Sequence, residues 1–150
     1  MNTITVPVKK LDESLEAPAY AYLGDAGLDL RASEDAILEP FERETVPCGI
    51  AIAIPEGYAG FVMPRSGLAS KHGISIVNSP GLIDSNYRGE VKVVLVNLDA
   101  HETFRVSRGD RIAQLVIMAV PAVDLQVVEQ LDETMRGESG FGSSGVMDGA

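Results

Sequence analysis

The chain has 150 residues, 45% of them hydrophobic, and its 12 Lys and Arg against 22 Asp and Glu give a formal net charge of −10. One domain with a buried core fits that length and two do not. The acidic balance, with no Lys/Arg-rich block to offset it, argues against nucleic-acid and anionic-membrane partners.

In chain order, "MNTITVPVKK" (1–10) has no charged-then-apolar signal pattern and no later apolar run approaches membrane-spanning length, so the expectation is a cytoplasmic protein. "AGLDLRAS" (26–33) sets Asp29 between Leu28 and Leu30 in strand-like alternation, as a strand-to-turn cap or as a site carboxylate. The lone cysteine, Cys48, can form no internal disulfide; it makes no metal-ligand spacing with His72 or His101 and reads as a buried structural thiol. It opens "CGIAIAIPEGYAGFVMP" (48–64), the first of several β-branched runs punctuated by Gly, Pro, Asn and Asp. Arg65, Ser66 and Gly67 follow that run, and "SGLASKHG" (66–73) predicts one short helix capped by Ser66 and stopped by Gly73. "GISIVNSPGLID" (73–84) and "EVKVVLVNL" (90–98) read as strands, and "SRGD" (107–110) as a turn before "RIAQLVIMAV" (111–120). Gln114 sits inside that apolar run, and a buried amide there needs hydrogen-bond partners. "AVDLQVVEQ" (122–130) is again strand-like, whereas "RGESGFGSSGVMDGA" (136–150) is too rich in Gly and Ser to build a core. Many short strands and one small helix predict an all-β barrel or jelly roll.

Within "NSPGLIDSNYRGE" (78–90), residues 81–84 and 87–91 read as the arms of a hairpin, with Ser85 and Asn86 as its turn. Asp84 and Tyr87 then flank the turn. Taken alone, Asp84 serves either to bond turn amides or to do chemistry, and Tyr87 either to cover the hairpin or to line a site.

Five segments, "AGLDLRAS", "PRSGLASKHGI", "NSPGLIDSNYRGE", "RGDRIAQLV" and "RGESGFGSSG", together resemble in order and spacing the five motifs of the trimeric deoxyuridine triphosphatases. The resemblance spans residues 24 to 145. It departs at Ser139, where the family usually has glycine.

The resemblance implies an all-β jelly roll with one short helix (1–134), a flexible C-terminal lid (135–150), and a threefold homotrimer whose active sites are shared between chains. Oligomer interfaces are common places for such sites. The implied reaction converts dUTP to dUMP and pyrophosphate with Mg²⁺ as cofactor. Asp84 resembles the general base and Gln114 the amide that positions water or the α-phosphate. Arg65, Ser66, Gly67, Arg136, Gly142 and Ser143 resemble phosphate-binding groups, with Phe141 over the uracil. Asn78, Leu82, Ile83 and Lys92 resemble base-reading positions, Tyr87 the wall under the deoxyribose, and Asp29 a carboxylate one water removed from the metal. Arg88 is expected to brace the turn or an interface. A dCTP deaminase, which shares the fold, would need a glutamate at about Val94. Valine cannot move protons, and a non-catalytic jelly roll would have no reason to hold Asp84, Arg65, Gln114 and the tail together.

Overall fold

Alternation along the chain decides the layout. In "EVKVVLVN", Val91, Val93, Leu95 and Asn97 are buried while Lys92 is exposed and Val94 and Val96 are half-buried. One face of that strand is therefore committed to a core.

The computed structural model describes residues 3–141 and 143–145. Its elements are β1 (Val8–Lys10), β2 (Leu28–Arg31), β3 (Ala36–Leu38), β4 (Arg43–Ile52), β5 (Tyr58–Met63), α1 (Ser66–His72), β6 (Ile74–Ile76), β7 (Gly81–Ile83), β8 (Glu90–Asn97), β9 (Phe104–Val106) and β10 (Arg111–Ala119). Two antiparallel four-stranded sheets, ordered β1-β4-β8-β6 and β2-β10-β5-β7, are joined by a small β3-β9 ribbon. Val46, Ile50, Ile52, Val91, Val93 and Leu95 from the first sheet meet Leu30, Val62, Ile83, Ile112 and Leu115 from the second in one buried cluster. Burying each such side chain contributes about 1.5–3 kcal/mol before chain entropy is counted. The all-β jelly roll with one short helix is thus the observed fold.

Two irregularities shape the site. Opposite β8, the five residues of β4 from Pro47 to Ala51 face the three from Lys92 to Glu90, and Gly49 takes the positive φ (67°) that this bulge requires. A Cβ at Gly49 would lie 3.0 Å from Cβ of Asp12, whose N–H donates to Gly49 O. The Arg108 guanidinium donates to Asp12 Oδ2 at 2.6 and 3.1 Å and, with Ser14, holds that carboxyl down at about 2, tying the N-terminal segment to the turn before β10. The second irregularity lies in β10, where the register against β2 shifts between Arg111 and Ala113.

Four sequence expectations change. Ser66 is the first helical residue and not the cap: Arg65 holds the extended cap position (ψ 126°) without a side-chain cap bond, while Gly73 does stop the helix in the left-handed region. Residues 81–84 and 87–91 are not a paired hairpin. The turn exists, with Tyr87 N–H donating to Asp84 O at 3.1 Å, but β7 pairs with β5 and β8 pairs with β4 and β6, so the two arms enter different sheets. Gln114 is only half-buried, which removes the need for structural partners. Finally, 122–130 forms no strand in the single chain, and Val123, Leu125, Val127 and Val128 are exposed because no neighbouring strand covers them. Among the described residues no helix is long and apolar enough to cross a membrane.

Candidate active site

Where β7 and β8 part, they leave a slot. Its inner part, about 70 Å³, is lined by Asn78, Gly81, Leu82, Ile83, Lys92, Val93 and Val94. A wider mouth of about 190 Å³ shares Leu82, Ile83 and Lys92 and adds Asp84, Tyr87 and Glu90. β7 is the outer strand of its sheet, and the first half of β8 runs past the end of β6, whose ladder with β8 stops at Ile76–Leu95. Val77 N–H still donates to Val94 O at 3.0 Å, so among the described residues the unpaired backbone edges at the slot are those of Gly81–Ile83 and of β8 before Val94. Asp84 stands exposed at the lip, and its carboxylate has no hydrogen-bond partner among the described residues. Arg88 braces the turn, donating through Nη1 to Ser85 O (2.7 Å) and Tyr87 O (2.8 Å).

A second group lies on the β2-β10-β5-β7 sheet, on its face away from the core. Asp29, Gln114 and Met63 stand opposite one another across β2, β10 and β5, and Arg65 follows two residues after Met63. Asp29, with its side chain 14% exposed, lies between Arg65 Nε and Arg111 Nη1, each 3.5 Å from one of its oxygens. Arg65 also donates from Nη1 to Arg111 O at 3.0 Å, while its buried Nε has no hydrogen-bond partner among the described residues. Two guanidiniums against one carboxylate leave this corner net positive within an acidic protein. The Gln114 amide makes no hydrogen bond among the described residues, and room for it comes from Gly27, where a Cβ would fall 2.7 Å from Gln114 Oε1. Ser66 and Gly67 are exposed at the start of α1.

Neither part of the slot is lined by Asp29, Arg65 or Gln114, so one chain does not bring the two groups together. Nor does it bring in the tail: Arg136 donates to Ser139 O at 2.9 Å, and Phe141 and Ser143 are exposed. Gly142 lies outside the described residues. A broader open hollow elsewhere is lined by Asp12, Glu13, Glu34 and Glu90, a wall that repels phosphate.

The dUTPase family model matches residues 13–145, most of the chain. The chain belongs to the dUTPase family. It is 54% identical over 140 residues to the deoxyuridine 5'-triphosphate nucleotidohydrolase of Corynebacterium glutamicum, covering 93% of this chain and 94% of that one. Against the enzyme of the same name from Tropheryma whipplei it is 58% identical over 128 residues, covering 85% and 88%. Among solved structures, the dUTPase of Staphylococcus bacteriophage 80alpha with dUPNHPP superposes with a TM-score of 0.87 at 34% identity, covering 96% of this chain and all of the other. A dUTPase variant from phage phi11 of S. aureus, described as showing the coordination of a structural Mg(II) ion, superposes with a TM-score of 0.78 at 29% identity over 87% of this chain.

Within this dUTPase-family fold, sequence reasoning passed over Arg111. Simple alternation sets residues 111 and 114 on opposite faces of a strand. The bulge turns both Ile112 and Ala113 into the core, so Arg111 and Gln114 share the outer face. Two adjacent apolar residues between two polar ones were the available signal.

Proposed function

We propose that this chain, a dUTP diphosphatase by family, hydrolyses dUTP to dUMP and pyrophosphate, with Asp84 as general base in a site shared by a homotrimer. The observation that carries the reading is the slot with a free carboxylate at its lip. The unpaired edges at Leu82, Ile83 and Lys92, with the Asn78 amide, suit the Watson–Crick edge of uracil; cytosine presents the wrong donor pattern. Tyr87 would pack against the deoxyribose and leave no room for a 2′-hydroxyl. Asp84 would then orient a water and take its proton as that water attacks the α-phosphorus in line, pyrophosphate leaving without a covalent intermediate.

The triphosphate needs cations. Arg65, Ser66, Gly67 and Gln114 would meet its oxygens, with Asp29 holding the Arg65 and Arg111 guanidiniums in place. Arg136, Phe141, Gly142 and Ser143 would close over substrate as a lid spanning 135–150, leaving 1–134 as the jelly-roll domain. Mg²⁺ would supply charge neutralisation on the phosphates. Among the described residues no group of three or more His, Cys, Asp or Glu side chains could cage a metal. Asp29 already faces two guanidiniums, so it fits a metal carried by the triphosphate at one water's remove better than a bare ion.

Trimer assembly is supported by the exposed strap at Val123, Leu125 and Val127, whose alternate apolar side chains suit addition to a neighbouring chain's sheet. Such an enzyme would work in the cytoplasm on the nucleotide pool, supplying dUMP and keeping uracil out of DNA. The dCTP deaminase reading is disfavoured because Val94 lines the slot and carries no proton.

The deciding experiment is pyrophosphate release from dUTP, dCTP, dTTP and UTP with Mg²⁺. Turnover of dUTP alone is expected; equal turnover of dCTP, or ammonia release, would overturn the reading.

A further inference from the structure

Gly89 has no positive φ, so backbone freedom does not explain a glycine there. Its surroundings do. A Cβ at residue 89 would overlap Tyr87 Oη and lie 2.6 Å from Cζ and 3.0 Å from Cε2, and these three nearest atoms all belong to one phenol side chain. The phenol folds back over residue 89, and its hydroxyl donates to Glu90 O at 2.9 Å. In that position the ring, 43% exposed, forms part of the slot mouth beside Asp84.

We propose that Gly89 is a positioning residue for sugar selectivity, holding no contact of its own but leaving the space in which the Tyr87 ring lies. The inference rests on the reading of the slot as a deoxyuridine nucleotide site. An aromatic ring cannot bend around an added methyl group; it has to rotate about its side-chain torsions, and rotation breaks the hydroxyl bond to Glu90 O. The wall under the sugar then recedes. A ribose 2′-hydroxyl gains room and a deoxyribose loses its packing partner, so selectivity falls from both sides.

The test is kcat/KM for dUTP and for UTP, with thermal melts, on wild type, Gly89→Ala, Tyr87→Ala and the double variant. Gly89→Ala is expected to lower the dUTP:UTP ratio by about tenfold or more, the scale of a lost packing contact in a pocket. In the Tyr87→Ala background the same change should move the ratio by less than about twofold, because the ring it meets is gone. An unchanged ratio in Gly89→Ala overturns the proposal, as does an equal drop in both backgrounds. If Gly89→Ala alone folds poorly, recovery of Tm in the double variant supports the clash with the ring and no recovery overturns it. Wild-type enzyme that turns over UTP as well as dUTP overturns the slot reading and this proposal together; preference kept by Gly89→Ala overturns this proposal alone.

Discussion

Truncation after Met135 should separate folding from turnover. Beyond Val120, whose N–H donates to Gly57 O at 2.8 Å, the hydrogen bonds of the described tail join tail residues only: Gly137 N–H to Thr134 O, Ser139 N–H to Arg136 O and Ser143 N–H to Gly140 O. Nothing in that set ties residues 136–145 to the two sheets, so their loss should leave Tm within about 2 °C of wild type. On the proposed lid role, the conformational entropy lost on ordering this Gly- and Ser-rich segment would hold it open until a triphosphate supplies contacts. Stacking of Phe141 on the base contributes about 1–3 kcal/mol and charged hydrogen bonds from Arg136 about 1.5–3 kcal/mol. Loss of about 2.7 kcal/mol of such transition-state contact, within the range of these two side chains, corresponds to a hundredfold drop in kcat. Measuring pyrophosphate release, thermal melting and mass by light scattering on the truncated chain checks all three terms. Unaltered kcat, or a Tm lowered by more than about 5 °C, would refute the assignment of this segment as a lid.

The remaining predictions address the base, the assembly, the core and the thiol. Asp84→Asn should lower kcat by about 10²–10⁴ while the Kd for dUTP changes little; near wild-type turnover would remove Asp84 from the chemistry. Light scattering should report about three chains, and Leu125→Asp combined with Val127→Asp in the exposed strap should release inactive monomers; an active monomer at micromolar concentration contradicts a shared site. Asn97, fully buried, donates to Leu38 O and Glu102 O and accepts from Asp99 N–H, so Asn97→Ala should cost about 3 kcal/mol, or roughly 6–12 °C in Tm at fixed protomer concentration, and a shift under about 3 °C would deny it that anchoring role. Burial, with Glu90 nearby, pushes the Cys48 thiol up from 9.0 to about 12, so the stability it contributes is intact below pH 9 and lost as pH rises towards 12; Cys48→Ala should flatten that alkaline decline in Tm, and an unchanged decline would assign it to other groups.

What the sequence could show follows from range. Strands β4 to β8 and β10 were legible because Val, Ile and Leu at alternate positions report a local, two-residue period that burial then enforces. Gly73 was legible for the same local reason, since a helix end needs one residue in the left-handed region. Pairing is not local. The turn at 84–87 was visible, but the departure of its two arms into different sheets depends on β5 and on β4 with β6. That departure makes the slot, because a paired hairpin would have spent the backbone groups that now stand free. Arg111 was hidden by one bulged residue, and the half-burial of Gln114 by the missing side chain at Gly27.

Strand register also argues for the shared site. Gly81, Leu82 and Ile83 stand opposite Val62, Phe61 and Gly60, so Asp84 continues to the level of Ala59 on β5, while Gln114 stands opposite Met63. Four residues along a strand are roughly 13 Å, and two strand spacings from β7 to β10 are roughly 10 Å, which separates the two backbones by roughly 16 Å. Side chains as short as aspartate and glutamine close only part of that gap. A general base must lie within one water of the phosphorus it serves, and the amide that positions the same water or phosphate must lie as close. With the roles proposed for them, Asp84 and Gln114 of one chain could therefore not act on one α-phosphorus. A second copy, bringing its Asp29, Arg65, Arg111 and Gln114 against the Asp84 lip of the first, would remove the contradiction, and closed rotational symmetry would repeat the arrangement at every interface of the proposed trimer.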